Sequence, residues 1–182
     1  DWIGHHNDIA HWGLGLEATG GGGGPISVEA KNWDFSRTPD IYDTAWQYDV
    51  ISKYPGDIEV KMSSRVGGGC KWIGTDGWVW VNRGRLDASN KEWIKKGFNA
   101  GDWKGYRSPG HQRNFIDCVK SRKETVAPAE NAHRSITPGH IAYVSHEIGR
   151  AIKWDPKKEA VIGDDKAHKI LYSLPYRGDW KI

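Results

Sequence analysis

Between Ile26 and Arg65 apolar and polar residues alternate with a period of two. Ile26, Val28 and Ala30 alternate with Ser27, Glu29 and Lys31. Trp46, Tyr48 and Val50 alternate with Gln47 and Asp49. Ile58, Val60 and Met62 alternate with Glu59, Lys61, Ser63 and Arg65. This pattern predicts strands with one buried and one polar face. Tyr54-Pro55-Gly56-Asp57 separates the second strand from the third and reads as a hairpin turn. Past Gly67–Gly69, Cys70–Ile73, Thr75-Asp76-Gly77 and Trp78–Val81 predict another strand–turn–strand unit. Clean alternation favours an antiparallel sheet, here over residues 26–82, with helices on its apolar face. The polar face carries Glu29, Lys31, Gln47, Asp49, Glu59, Lys61 and Arg65. It must meet solvent, a substrate or another subunit.

The period lengthens at both ends of the chain. Trp2, Ile9 and Trp12, with His5, recur at helical spacing, and Gly13 and Gly15 would stop that helix. In the last third, Phe115, Cys118 and Val119 form one helical stripe within His111–Arg122. Ile141, Val144, Ile148 and Ile152 form a second. Both stripes are expected to lie against the sheet. Pro138 predicts either a helix start after Thr137 or, as the preferred reading, a kink in one helix from about Ala129. A strand around Ile152–Trp154, a turn at Asp155-Pro156, a short helix near Asp164–Tyr172 and an extended tail follow. Sheet first and helices after define an α+β fold: an open, mostly antiparallel sheet with helices packed on one face. One domain over residues 1–182 accommodates this order: a helix over 1–15, the sheet over 26–82, and helices and tail over 110–172.

Composition narrows the partners. In 182 residues, 26 Lys+Arg against 23 Asp+Glu give a net charge of +3 with no basic block, which argues against nucleic acid. The longest apolar runs are too short for a membrane-spanning helix. Cys70 and Cys118 match no metal or redox spacing, and either pair or stay free. The run Gly20–Gly24 ends at Pro25 with no Lys-Ser/Thr and no G-x-G-x-x-G after it, so a phosphate cradle is not indicated. A chain that opens on DWIGHHNDIAHWGLG without Met reads as a fragment, a processed product or a partial record.

The densest polar cluster is Asp1, His5, His6, Asp8 and His11. On a helix Asp1, His5 and Asp8 share a face. A carboxylate beside an imidazole raises its pKa and orients it, which suits proton transfer near neutral pH. The alternative is an Asp favouring the helix dipole beside partly exposed histidines. Neither H-E-x-x-H nor H-x-x-E-H occurs, so a metal is not indicated. Farther on, His133 and Arg134 are candidates for a ligand pocket, although Glu130 and Arg134 also fit a surface pair. Trp72, Trp78 and Trp80 fit either ring stacking or packing. Lys31 and Asn32 are candidate hydroxyl contacts.

DWIGHHNDIAHWGLG resembles the junction segment of the Gfo/Idh/MocA family of NAD(P)-dependent sugar oxidoreductases. That segment carries an Asp, a His four residues on and often an Asp three further, matched here by Asp1, His5 and Asp8. NFIDCVKSRKETVAPAENAHRS, KWDPKKEAVIGDD and LPYRGDW resemble the C-terminal domain of a bacterial subgroup. The resemblance implies an open sheet with helices on one face, following a Rossmann domain that holds NAD or NADP. The family's catalytic Lys belongs to an E-K-P motif in that other domain, and neither E-K-P nor G-x-G-x-x-G occurs here. Carried over, His5 is the acid/base on a sugar hydroxyl or carbonyl, and Asp1 orients it or holds substrate. His6, Asp8, Lys31, His133 and Arg134 are candidate substrate contacts. The chain is then the substrate-binding and oligomerisation part of an oxidoreductase, inactive alone, homo-oligomeric through its open sheet face, and soluble in a bacterial cytoplasm or periplasm. A non-catalytic carbohydrate-binding or assembly module is the alternative.

Overall fold

A computed structural model describes residues 3–16, 23–35, 41, 44–96, 108–173 and 178. In chain order its elements are α1 (Ile3–Gly13), β1 (Ser27–Phe35), β2 (Ala45–Tyr54), β3 (Ile58–Ser63), β4 (Cys70–Ile73), β5 (Trp78–Asn82) and β6 (Arg85–Ala88). A 3₁₀ turn at Lys91–Ile94 follows, then α2 (His111–Ser121), α3 (Ala129–Ile148), β7 (Ile152–Asp155), β8 (Ala160–Val161) and α4 (Asp165–Tyr172). The strands form two antiparallel sheets, of five and three strands, in an α+β arrangement as the alternation predicts. Contacts divide the chain into two compact units, residues 1–68 with 134–182, and residues 69–133.

The first unit holds the five-stranded sheet in the order β3-β2-β1-β7-β8. Val28, Val50 and Met62 from its first three strands and Ile152 and Trp154 from β7 form one buried face. Ile3 of α1, Ile141, Ala142 and Val144 of α3, and Ala167 of α4 close over it. The turn between β2 and β3 places Gly56 at φ 76° and Asp57 at φ 59°. Glycine reaches that region freely and Asp at modest cost, which explains the turn sequence. β1 pairs with β7 only through Ser27 and Val28, and the Ala30 N–H further along bonds a side chain instead. The Ser145 hydroxyl of α3 accepts that N–H at 3.0 Å and donates to the Arg150 carbonyl at 2.7 Å. α3 runs through the buried Pro138 as one helix.

The second unit holds β4, β5 and β6 in sequential order. The two strand groups expected in one sheet over 26–82 therefore belong to separate sheets, and β7 and β8 take up the pairing on the other side of β1. In α2 the inward residues are Asn114 and Cys118. Asn114 Oδ1 accepts the Val126 N–H at 2.9 Å, and the Cys118 thiol donates to the Glu124 carbonyl at 3.3 Å. This stripe turns Phe115 and Val119 outward, 59% and 46% exposed, against the expectation that both are buried. Trp46, expected on the apolar face of β2, is likewise exposed. Cys70 and Cys118 are both buried and are not bonded to each other.

Candidate functional site

α1 packs against α3 through glycines. A Cβ on Gly4 would stand 2.9 Å from Ile136 Cδ1, and one on Gly139 would stand 3.3 Å from Ile3 Cγ2. The helix ends where Gly13 is followed by Gly15 at φ 67°, whose N–H bonds the Trp12 carbonyl. Trp2, Ile9 and Trp12 recur at helical spacing, but the buried face of the helix is Ile3, Asn7 and His11, at i, i+4 and i+8, while Ile9 and Trp12 are 36% and 43% exposed. Trp2 lies outside the described residues.

Hydrogen bonding explains why two polar residues displace two apolar ones from the core. Asn7 Nδ2 donates to the Ser135 carbonyl of α3 at 2.8 Å. A carbonyl can only accept, so this bond fixes which end of the amide is nitrogen. The same Nδ2 lies 3.3 Å from His11 Nε2. With the imidazole proton on Nδ1, Nε2 accepts from that amide and from the Tyr54 hydroxyl of β2, which lies 2.7 Å away. The rings of His11 and Tyr54 meet edge to face, 5.4 Å apart. Burial lowers the His11 pKa to about 4, against a smaller upward pull from Asp8. Burial also pushes the Tyr54 phenol well above its usual range. Asp8 accepts the Ser135 hydroxyl at 2.8 Å. α1 is thus tied to both β2 and α3.

His5 is exposed and meets the half-buried His6 ring edge to face at 5.2 Å. Asp8, expected to share the face of His5, is engaged by α3. Asp1 lies outside the described residues. Lys31 is exposed and pairs with Glu29 at 2.7 Å. Asn32 donates to Asp49 at 2.8 Å. His133 is exposed on α3. Arg134 donates to the Pro156 carbonyl at 2.6 Å and pairs with Glu159 at 2.7 Å, which gives it a structural task in holding the β7–β8 turn. Trp78 carries the Lys71 ammonium over its ring at 4.1 Å, so that ring face already has an occupant. Among the described residues no group of three or more His, Cys, Asp or Glu could hold a metal, and no helix is long and apolar enough to cross a membrane.

Sequence reasoning missed Asn7, Tyr54 and Ser135. A signal existed for Asn7, at i+4 from Ile3 and i−4 from His11. Tyr54 and Ser135 lie far along the chain and carry no local mark.

Residues 104–182 match the model of an oxidoreductase family's C-terminal alpha/beta domain, that of Gfo/Idh/MocA. No curated protein matches the chain at a significant level. The match begins in the second unit, ends in the first, and does not include α1.

Proposed function

We propose that the chain is the substrate-binding part of an NAD(P)-dependent sugar or polyol oxidoreductase, with His5 as acid/base on the reacting hydroxyl or carbonyl. The observation that carries this reading is the orientation of α1. Its polar inner face is bonded to β2 and α3, and this turns the His5 imidazole outward beside exposed Ile9 and Trp12. An imidazole at that place can take a hydroxyl proton as the alcohol carbon gives up hydride, or return it in the reverse direction. His6, next in sequence, and Asp1, at i−4, carry groups to orient it or bind a sugar hydroxyl.

Among the described residues the glycine run gives no dinucleotide cradle. It enters a strand, β1, through Pro25, so no helix N-terminus follows to take a pyrophosphate. NAD or NADP is therefore assigned to another domain, and this chain contributes proton transfer and substrate contacts. The substitution His5→Ala, made in the oxidoreductase that contains this chain, should lower kcat by roughly 10²–10⁴-fold and leave cofactor affinity unchanged. Turnover equal to wild type would overturn the assignment.

A further inference from the structure

We propose that the seat of α1 is an acid-sensitive latch: a proton taken up at Nε2 of His11 removes the acceptor that Tyr54 and Asn7 share, and loosens α1 from α3. The argument is one of donors and acceptors. Protonated Nε2 becomes a donor. The Tyr54 hydroxyl can rotate and accept from it, because an O–H serves both ways. The Asn7 NH₂ cannot, and N–H then faces N–H. Turning the amide over presents Oδ1 to the new N–H instead. That oxygen is buried and has no hydrogen-bond partner while His11 is neutral. The turn carries Nδ2 away from the Ser135 carbonyl, so a bond within α1 replaces a bond between α1 and α3.

The groups that face His11 favour the neutral state at neutral pH. Asp8 on α1 is the carboxylate that pulls toward protonation, and the burial of the ring outweighs it. Tyr54 on β2 is held in its protonated form by burial. α3 presents Ser135, which is uncharged and spends its hydroxyl on Asp8. The new charge would lie in a site that is 1% exposed, with a tyrosine oxygen and one displaced amide to meet it. The latch stands without the proposed function. Its consequence for activity, release of the helix that carries His5, rests on that reading.

The test uses the chain labelled with ¹⁵N-histidine, titrated by NMR from neutral pH toward pH 4, with amide hydrogen exchange followed in parallel. At neutral pH His11 should show an acceptor-type Nε2 and a protonated Nδ1. As Nε2 gains its proton, α1 amides should lose protection by about tenfold or more while β1 and β2 amides keep theirs. His11→Gln should abolish that step. A proton on Nε2 at neutral pH would overturn the latch. So would loss of protection by α1 and the sheet at one common midpoint in both wild type and His11→Gln. Should His11→Gln fail to fold, the wild-type nitrogen signals and exchange order decide alone. His5→Ala separates the two ideas: it should leave the acid step in place, whatever it does to turnover.

Discussion

His11 ties the acid stability of the first unit to one imidazole. Its pKa moves from an ordinary 6.5 to about 4 on folding because burial penalises the charged form. The unfolded chain therefore binds the proton first as pH falls, and stability rises with pH between those values. Above pH 6.5 the contribution is fully present; it is lost as pH falls toward about 4, a change of roughly 3 kcal/mol over the window. Denaturant unfolding at several pH values should show that slope in wild type, and His11→Gln should flatten it. A slope unchanged by the substitution would place the acid sensitivity elsewhere. At this scale sequence spacing found the histidine cluster and proposed His5, but it gave no sign that Asp8 bonds Ser135. A helix wheel counts apolar residues and cannot see that Tyr54 and Ser135, distant in sequence, bond His11 and Asn7. Burial of a polar residue depends on its partner, and the partner is a tertiary fact.

Elements whose burial follows their own periodicity were legible. β1, β2 and β3 each have one face on the core, so alternation located them, and the β2–β3 turn carried its own chemistry in Gly56 and Asp57. β6 was missed because Arg85–Ala88 is short and presents little alternation. The division into two sheets was not legible, since it depends on which strand pairs with which. α2 shows the same limit: Phe115 and Val119 fit a buried stripe, but the bonds from Asn114 and Cys118 to the following loop turn the helix otherwise. These two stripes give a paired test. Ile141→Ala removes a side chain that is buried among Val28, Val50 and Ile152, and should cost about 2–5 kcal/mol. Phe115→Ala trims an exposed ring and should cost less than about 1 kcal/mol. Thermal unfolding of both variants checks the contrast, and equal losses would show that α2 buries Phe115 in solution.

For the whole molecule, the outer face of the five-stranded sheet is covered with paired charge. Lys31 bonds Glu29, Arg65 reaches Asp34 and Asp49, and hydrogen bonds from Ser63 and Asn32 hold the Asp49 carboxylate below its usual range. Such a surface of mixed sign can meet a second copy of itself across a two-fold axis with opposite charges facing. We therefore propose homo-oligomers through this face, and light scattering should report a dimer or larger species that Lys61→Glu weakens. A strict monomer at high concentration would count against it. The same scale yields a prediction about cofactor. The proposed oxidoreductase divides its labour between a domain that holds the nicotinamide and one that presents the substrate. Fixing the ring against the substrate carbon demands a cradle for the pyrophosphate, which a helix N-terminus after a glycine turn supplies. Here the glycine run leads into β1, and the site residues proposed on α1 carry imidazoles and a carboxylate, groups for moving a proton and not for holding two phosphates. Calorimetry of the 182-residue chain with NADH or NADPH should therefore record no binding heat at micromolar to millimolar cofactor. Saturable binding to the isolated chain would mean that its described elements hold the dinucleotide in a way this division of labour does not provide, and His5 would then have to be reconsidered as a cofactor contact.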